Sequence, residues 1–206
     1  MHPLSDRFEQ AISYAFQLHR RQSRKGSRTP YFAHLMAVAA LVLEDGGDED
    51  QAIAALLHDA PEDQGGLAVL YEIQARFGER VATIVDGCTD TYESPKPPWR
   101  QRKERYIQHL QRASQEVLRV SLADKLHNAR TTLVDLKKLG PPVWSRFNGG
   151  MAGTLWYYQA LVKVFQQCSA SPMVAELDNV VAELEKLAGR QTSKFDSPNE
   201  QLGRSV

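Results

Sequence analysis

Apolar residues recur along this chain at three- and four-residue spacing rather than in strict alternation, so nearly every segment reads as helix. Ser5 can cap a first helix, on which Phe8, Ile12, Ala15, Phe16 and His19 follow at helical intervals. After the basic loop of residues 21–28, Thr29-Pro30 supplies a second helix start, and that helix runs from about Tyr31 to Leu43 before Gly46-Gly47. A third begins near Asp48 and passes through Ile53, Leu56 and Leu57 to His58-Asp59. Pro61 disfavours helical geometry at Ala60, which puts His58-Asp59 at the very end of this helix. Two short helices flank Gly78, and residues 91–98, with three prolines, form the most evident internal loop. Helices at about Trp99–Ala113 and Gln115–Leu139 precede Gly140-Pro141-Pro142, and Gly149-Gly150 leads into a helix rich in Leu155, Trp156, Tyr158, Leu161, Val162 and Phe165. Ser171-Pro172 opens a last amphipathic helix ending near Gly189, and the residues from 190 to 206 read as a polar tail expected to be disordered. The pattern predicts a single all-α domain.

Composition narrows the function. Lys+Arg and Asp+Glu number 25 each, so no global field draws the chain to nucleic acid or an anionic membrane, and any bound anion must meet local charges. Two cysteines, Cys88 and Cys168, are too few for a disulfide framework or a cysteine zinc site. The N-terminal MHPLSDRFEQ lacks the layout of a signal peptide and no run reaches membrane-spanning length, so the expected location is the cytoplasm.

Candidate chemistry sits where polar residues interrupt apolar helices. Leu118, Leu122, Leu126, Ala129 and Leu133 mark one stripe, and Asp124, Asn128 and Thr131 share a face of the same helix. Alone, that triplet could be an exposed polar face, and His34 an ordinary half-buried histidine. His58-Asp59 follows the apolar run AIAALL of residues 52–57, although two polar residues there could merely cap a helix end. Together, His34, His58, Asp59 and Asp124 make a mixed nitrogen and oxygen ligand set that suits Mn²⁺, Fe²⁺ or Zn²⁺ better than Ca²⁺. A metal so held lowers the pKa of bound water and polarises a phosphoryl group.

Glu62 lies four residues beyond His58 and Asp63 four beyond Asp59, so resumed helical turns after Pro61 would return both carboxylates toward the metal as general acid or base. Arg24-Lys25, just before the His34 helix, is the electrostatic complement an anionic substrate needs.

In order, RKGSRTPYFAH (24–34), ALLHDAPED (55–63) and SLADKLHNAR (121–130) resemble the hydrolase half of RelA/SpoT-type enzymes, in particular the free-standing small alarmone hydrolases. The similarity covers about residues 8–165. H…HD…D by itself marks the wider HD phosphohydrolases; RK before the first His, ED after HD and Asn four beyond the last Asp make the likeness more specific. The resemblance implies an all-α HD helical bundle over residues 1–189 carrying one Mn²⁺. His34, His58, Asp59 and Asp124 match its metal ligands, Glu62 and Asp63 its water-activating acids, and Arg24, Lys25, Asn128 and Thr131 its nucleotide contacts. The implied reaction removes the 3′-pyrophosphate of guanosine tetra- or pentaphosphate (ppGpp, pppGpp), giving GDP or GTP and pyrophosphate. No room remains for a synthetase domain, which implies a one-way hydrolase.

Pro61 departs from the β-branched or apolar residue common there, and Arg102, Lys103 and Arg146 are candidate cations in segments that match the family less securely. Adenosine 3′-pyrophosphates, the 2′-phosphate of NADPH and nucleoside monophosphates are the alternative substrates. A non-catalytic alarmone sensor is the alternative of another class, disfavoured because no ligand or acid is missing. The partner expected is a small nucleotide, with no nucleic acid and no membrane, while the apolar helix around residues 154–165 or the last amphipathic one could support a homo-oligomer.

Overall fold

The computed structural model describes residues 3–195, with side chains through Arg190. Among the described residues ten α-helices occur, and no strand beyond one isolated bridge between Ser23 and Pro30. The order is α1 (Asp6–His19), α2 (Tyr31–Glu44), α3 (Glu49–Leu57), α4 (Ala60–Gln64), α5 (Leu67–Phe77), α6 (Glu79–Cys88), α7 (Trp99–Leu110), α8 (Gln115–Leu139), α9 (Gly150–Cys168) and α10 (Met173–Phe195). A 3₁₀ turn, Pro141–Arg146, joins α8 to α9. The all-α domain read from periodicity is the fold observed. The last helix runs to Phe195, past the expected end near Gly189, and positions 196–206 of the expected tail lie outside the described residues.

Two helices organise the rest. Every residue of α3 from Gln51 to Leu57 is buried, and α3 packs against α1, α2, α6 and α8. A helix apolar all round belongs in a core, and the capping box of Asp48 with Gln51 pins its start. The long helix α8 contacts α2, α3, α6, α9 and α10, and buries Leu118, Leu122, Leu126 and Ala129 as its stripe predicts.

Some local readings change. Ala60 is not forced out of helical geometry: it opens α4, with Pro61 in the first turn. A proline ring is tolerated there because first-turn amides have no intrahelical partner, so the bias against helix before proline is overridden. On α1 the buried face is Ala11, Tyr14, Ala15 and His19, whereas Ile12 and Phe16 stay 38% and 51% exposed. Small alanines let α1 approach α3 closely, which the apolar spacing could not reveal. On α9 and α10, Leu161, Phe165, Leu177 and Leu184 are buried within this chain, while Leu155, Trp156, Val180 and Leu187 are partly buried against the core. No helix among the described residues is long and apolar enough to cross a membrane.

The contact of α6 with α8 is tight at Gly87, where a Cβ would meet Val117 Cγ2 at 2.5 Å. Gly87→Ala should therefore destabilise the fold by about 1–3 kcal/mol through overpacking. Thermal unfolding checks this, and an unchanged midpoint would mean that the contact yields freely.

Candidate metal centre

Three separate helices deliver four polar side chains to one buried point. His34 comes from the first turns of α2, His58 caps the C-terminus of α3, Asp59 follows it, and Asp124 lies mid-way along α8. His34 Nε2 is 3.2 Å from Asp124 Oδ1 and 3.7 Å from Asp59 Oδ2. His58 Nε2 is 2.9 Å from Asp59 Oδ2 and 3.7 Å from Asp124 Oδ1. One ligand atom each from His34, His58 and Asp59 lies within 4.8 Å of the others.

The outer nitrogens show which way the rings face. His58 Nδ1 donates to the Ala55 carbonyl at 2.8 Å, and His34 Nδ1 bonds His127 Nδ1 at 2.8 Å. Both Nε2 atoms are buried and make no hydrogen bond of their own. Buried ring nitrogens converging on carboxylates, with the opposite nitrogens anchored, are what a cation site requires. The residues present therefore fit a divalent metal.

Each carboxylate is anchored as well. Tyr31 Oη donates to Asp59 Oδ2 at 2.5 Å, while Asp124 accepts from Lys125 Nζ and from Asn128 Nδ2, each at 2.5 Å. Burial pushes both carboxyls up, but the His58 charge beside Asp59 and the Lys125 ammonium beside Asp124 hold both well below the usual range. Burial likewise pulls His58 down, yet the Asp59 charge and contact with Asp124 raise it well above an ordinary imidazole. His127 goes the other way: burial and the neighbouring His34 and Arg24 push it down to about 4, leaving it neutral at physiological pH.

The two acids after Pro61 separate. Consecutive residues on a helix point about 100° apart, and here only Glu62 lines the cavity beside the cluster. Its carboxylate takes Lys96 Nζ at 2.7 Å. Asp63 is instead held by Gln22 Nε2 at 2.7 Å, while burial and the nearby Asp59 charge raise its pKa.

The cavity measures about 780 Å³, large enough for a nucleotide, and its wall collects the expected cations. The basic loop is closed by Arg24 N to Thr29 O at 2.8 Å and Tyr31 N to Gln22 O at 2.9 Å, which fixes where Arg24 and Lys25 leave the backbone. Arg24 Nη2 donates to Asn128 Oδ1 at 2.6 Å and sits near Thr131 Oγ1 at 3.5 Å, while Arg24 Cζ lies 5.6 Å from the Tyr31 ring centroid. Lys25 reaches Asn148 Oδ1 at 3.1 Å. Arg146 bonds Asp135 and passes so close to Gly26 that a Cβ there would meet it at 2.5 Å. All four expected substrate residues, Arg24, Lys25, Asn128 and Thr131, line the cavity.

Sequence reasoning missed Tyr31, Lys96, Lys125 and His127. The helical spacing of His127 from Asp124 was a usable signal; the pairing of Lys96 with Glu62 across a long loop was not.

A family model for the HD domain matches residues 11–149. The chain is 39% identical over 139 residues to guanosine-3′,5′-bis(diphosphate) 3′-pyrophosphohydrolase MESH1 of Xenopus tropicalis, covering 66% of this chain and 73% of that protein. It is 37% identical over 124 residues to a probable guanosine-3′,5′-bis(diphosphate) 3′-pyrophosphohydrolase of Synechocystis, covering 59% of this chain and 16% of that longer protein. A solved structure described as a metazoan ortholog of SpoT that hydrolyses ppGpp superposes with a TM-score of 0.73 at 27% identity, covering 89% of this chain and 97% of the other.

Because His58 must lose its proton to offer Nε2, and its pKa is raised, protons should compete with a divalent cation up through neutral pH. Apparent Mn²⁺ affinity, read by calorimetry, should rise steadily from pH 6 to pH 8. A pH-independent affinity would show that His58 does not take part.

Proposed function

The chain belongs to the HD-domain family, and from that premise we propose that it is a Mn²⁺-dependent hydrolase of the 3′-pyrophosphate of guanosine 3′,5′-bis(diphosphate) and its pentaphosphate analogue. One observation carries the reading. Two buried imidazoles, the buried Asp124 carboxylate and the partly exposed Asp59 carboxylate converge on a point, with neither Nε2 atom making a hydrogen bond, at the wall of a cavity that also gathers Arg24, Lys25, Arg102, Lys103 and Arg146.

In this reading His34, His58, Asp59 and Asp124 hold the metal, which when bound supplies a nucleophilic water near neutral pH and polarises the phosphoryl oxygen. The two carboxylates balance the charge of a dication, so the substrate's negative charge falls to Arg24 and Lys25. Arg24, braced by Asn128 and Thr131, presents its guanidinium plane close to Tyr31, as suits a nucleotide held by phosphate contact or by stacking. Glu62, alone of the acid pair on the cavity wall, is the better placed to move the proton of the attacking water. Asp63, held by Gln22 beside Tyr31 and His19, supports that side of the cluster. Homology to MESH1 and to RelA/SpoT-type hydrolases supports guanosine as the base.

Purified protein supplied with Mn²⁺ should release pyrophosphate from guanosine 3′-pyrophosphates and lose that activity to a chelator. Adenosine 3′-pyrophosphates, NADPH and nucleoside monophosphates form the comparison panel, with pyrophosphate and orthophosphate scored separately. Asp59→Ala should abolish both metal binding and turnover, and Glu62→Gln should lower kcat by about 100-fold or more while metal binding persists. If no 3′-pyrophosphorylated nucleotide yields pyrophosphate, the proposal is wrong.

A further inference from the structure

The core covers most apolar side chains of α1 and α2 but leaves a patch between them open. Ile12 and Phe16 are about one turn apart on α1, Phe32 and Met36 on α2, and Phe16 meets the Phe32 ring edge-on at 5.5 Å. Met36 is 48% exposed, much as Phe16 is, and Phe32 is half-buried. Apolar residues exposed singly need no explanation, whereas four on one face, two of them in ring contact, make a surface suited to a partner.

The residues along the patch say what that partner is. Glu9, Ser13, Phe16 and Arg20 follow one another at intervals of four, three and four residues, which keeps them on one exposed stripe of α1 and its cap. The spacing reads the same in both directions, with opposite charges at its two ends and a small beside a large side chain at its middle. Glu9 and Arg20 lie about 16 Å apart along the helix axis. Neither forms an ion pair among the described residues. When two such helices pair antiparallel about a two-fold axis, Glu9 of each meets the partner's Arg20, and each Phe16 lies over the partner's Ser13. Parallel pairing would set like charges together at both ends. Positions 196–206, whose only large apolar residues are Leu202 and Val206, offer little with which this chain could cover the patch itself.

We propose that two copies of this chain associate through α1, paired antiparallel about a two-fold axis level with Tyr14 and Ala15. Phe16, with Ile12 and the α2 residues Phe32 and Met36, forms the apolar centre, and the two Glu9–Arg20 pairs close its ends. A two-fold contact makes every interaction twice, so one helix face and its neighbour supply both halves of the interface. The association leaves the cavity open, because Ile12, Phe16, Phe32 and Met36 line no part of it. The homo-oligomer contact thus falls on α1 rather than on α9 or α10, and it is independent of the reaction proposed above.

Sedimentation velocity of the full chain from about 1 to about 100 µM should show a monomer–dimer equilibrium. Glu9→Arg and Arg20→Glu, each alone, set like charges against each other twice per dimer and should weaken association by about tenfold. Combined in one chain, the two substitutions rebuild the pairs in reverse and should return the affinity to within about threefold of the unsubstituted protein. Phe16→Asp should leave only monomer over the same range, and if that variant fails to fold the charge series still decides. A chain that stays monomeric throughout overturns the proposal. So does a dimer indifferent to both single charge changes, or a double variant that associates no better than the single ones. No turnover enters these readouts, so the dimer and the hydrolase reading stand or fall separately.

Discussion

Charge burial at the meeting point of α2, α3 and α8 is the constraint on which this structure turns. His34 and His58 are 1% and 2% exposed, and the Asp124 side chain is 7% exposed. An unpaired carboxylate so placed would be costly, and the fold resolves the cost by bringing opposite formal charges within 2.9 to 3.7 Å. A divalent cation satisfies the same geometry with stronger chemistry. A proton on His58 and a metal beside it are therefore competing solutions to one electrostatic problem.

The helices around that point hold it in place. Because α3 is buried on every side, its C-terminus can be placed only one way, and His58 and Asp59 leave it into the short helix α4. A second ring of groups then fixes each ligand: the Ala55 carbonyl and His127 behind the imidazoles, Tyr31, Lys125 and Asn128 behind the carboxylates. Asn128 also bonds Arg24, so the cation that faces the cavity is tied through one amide to a residue of the metal centre. In the proposed reading, substrate contact and metal ligation are thus mechanically continuous.

A chain of zero net charge can still bind a polyanion, because its charges are sorted locally rather than globally. Arg24 and Lys25 enter the cavity from the closed basic loop and Lys103 and Arg102 from α7, while Lys96 of the proline-rich loop pairs with Glu62 on the cavity wall. Several of these cations are shared with a carboxylate, Lys96 with Glu62 and both Arg102 and Lys103 with Asp90.

Helical periodicity, the glycine and proline breaks and the H…HD…D spacing determined the fold class and the identity of the four central residues. Such signals are local: they survive in one dimension because an apolar stripe, a cap or a breaker acts within a few residues. Which face of α1 turns inward, that Ala60 opens a helix despite Pro61, and that Glu62 and Asp63 part company were decided only by packing between elements distant in sequence. The supporting ring belongs to the same class, since His127 meets His34 across ninety-three positions and Lys96 meets Glu62 across thirty-four. Hydrogen bonds and ion pairs act over about 3 to 4 Å in space and carry no period along the chain, so tertiary structure alone could assign them.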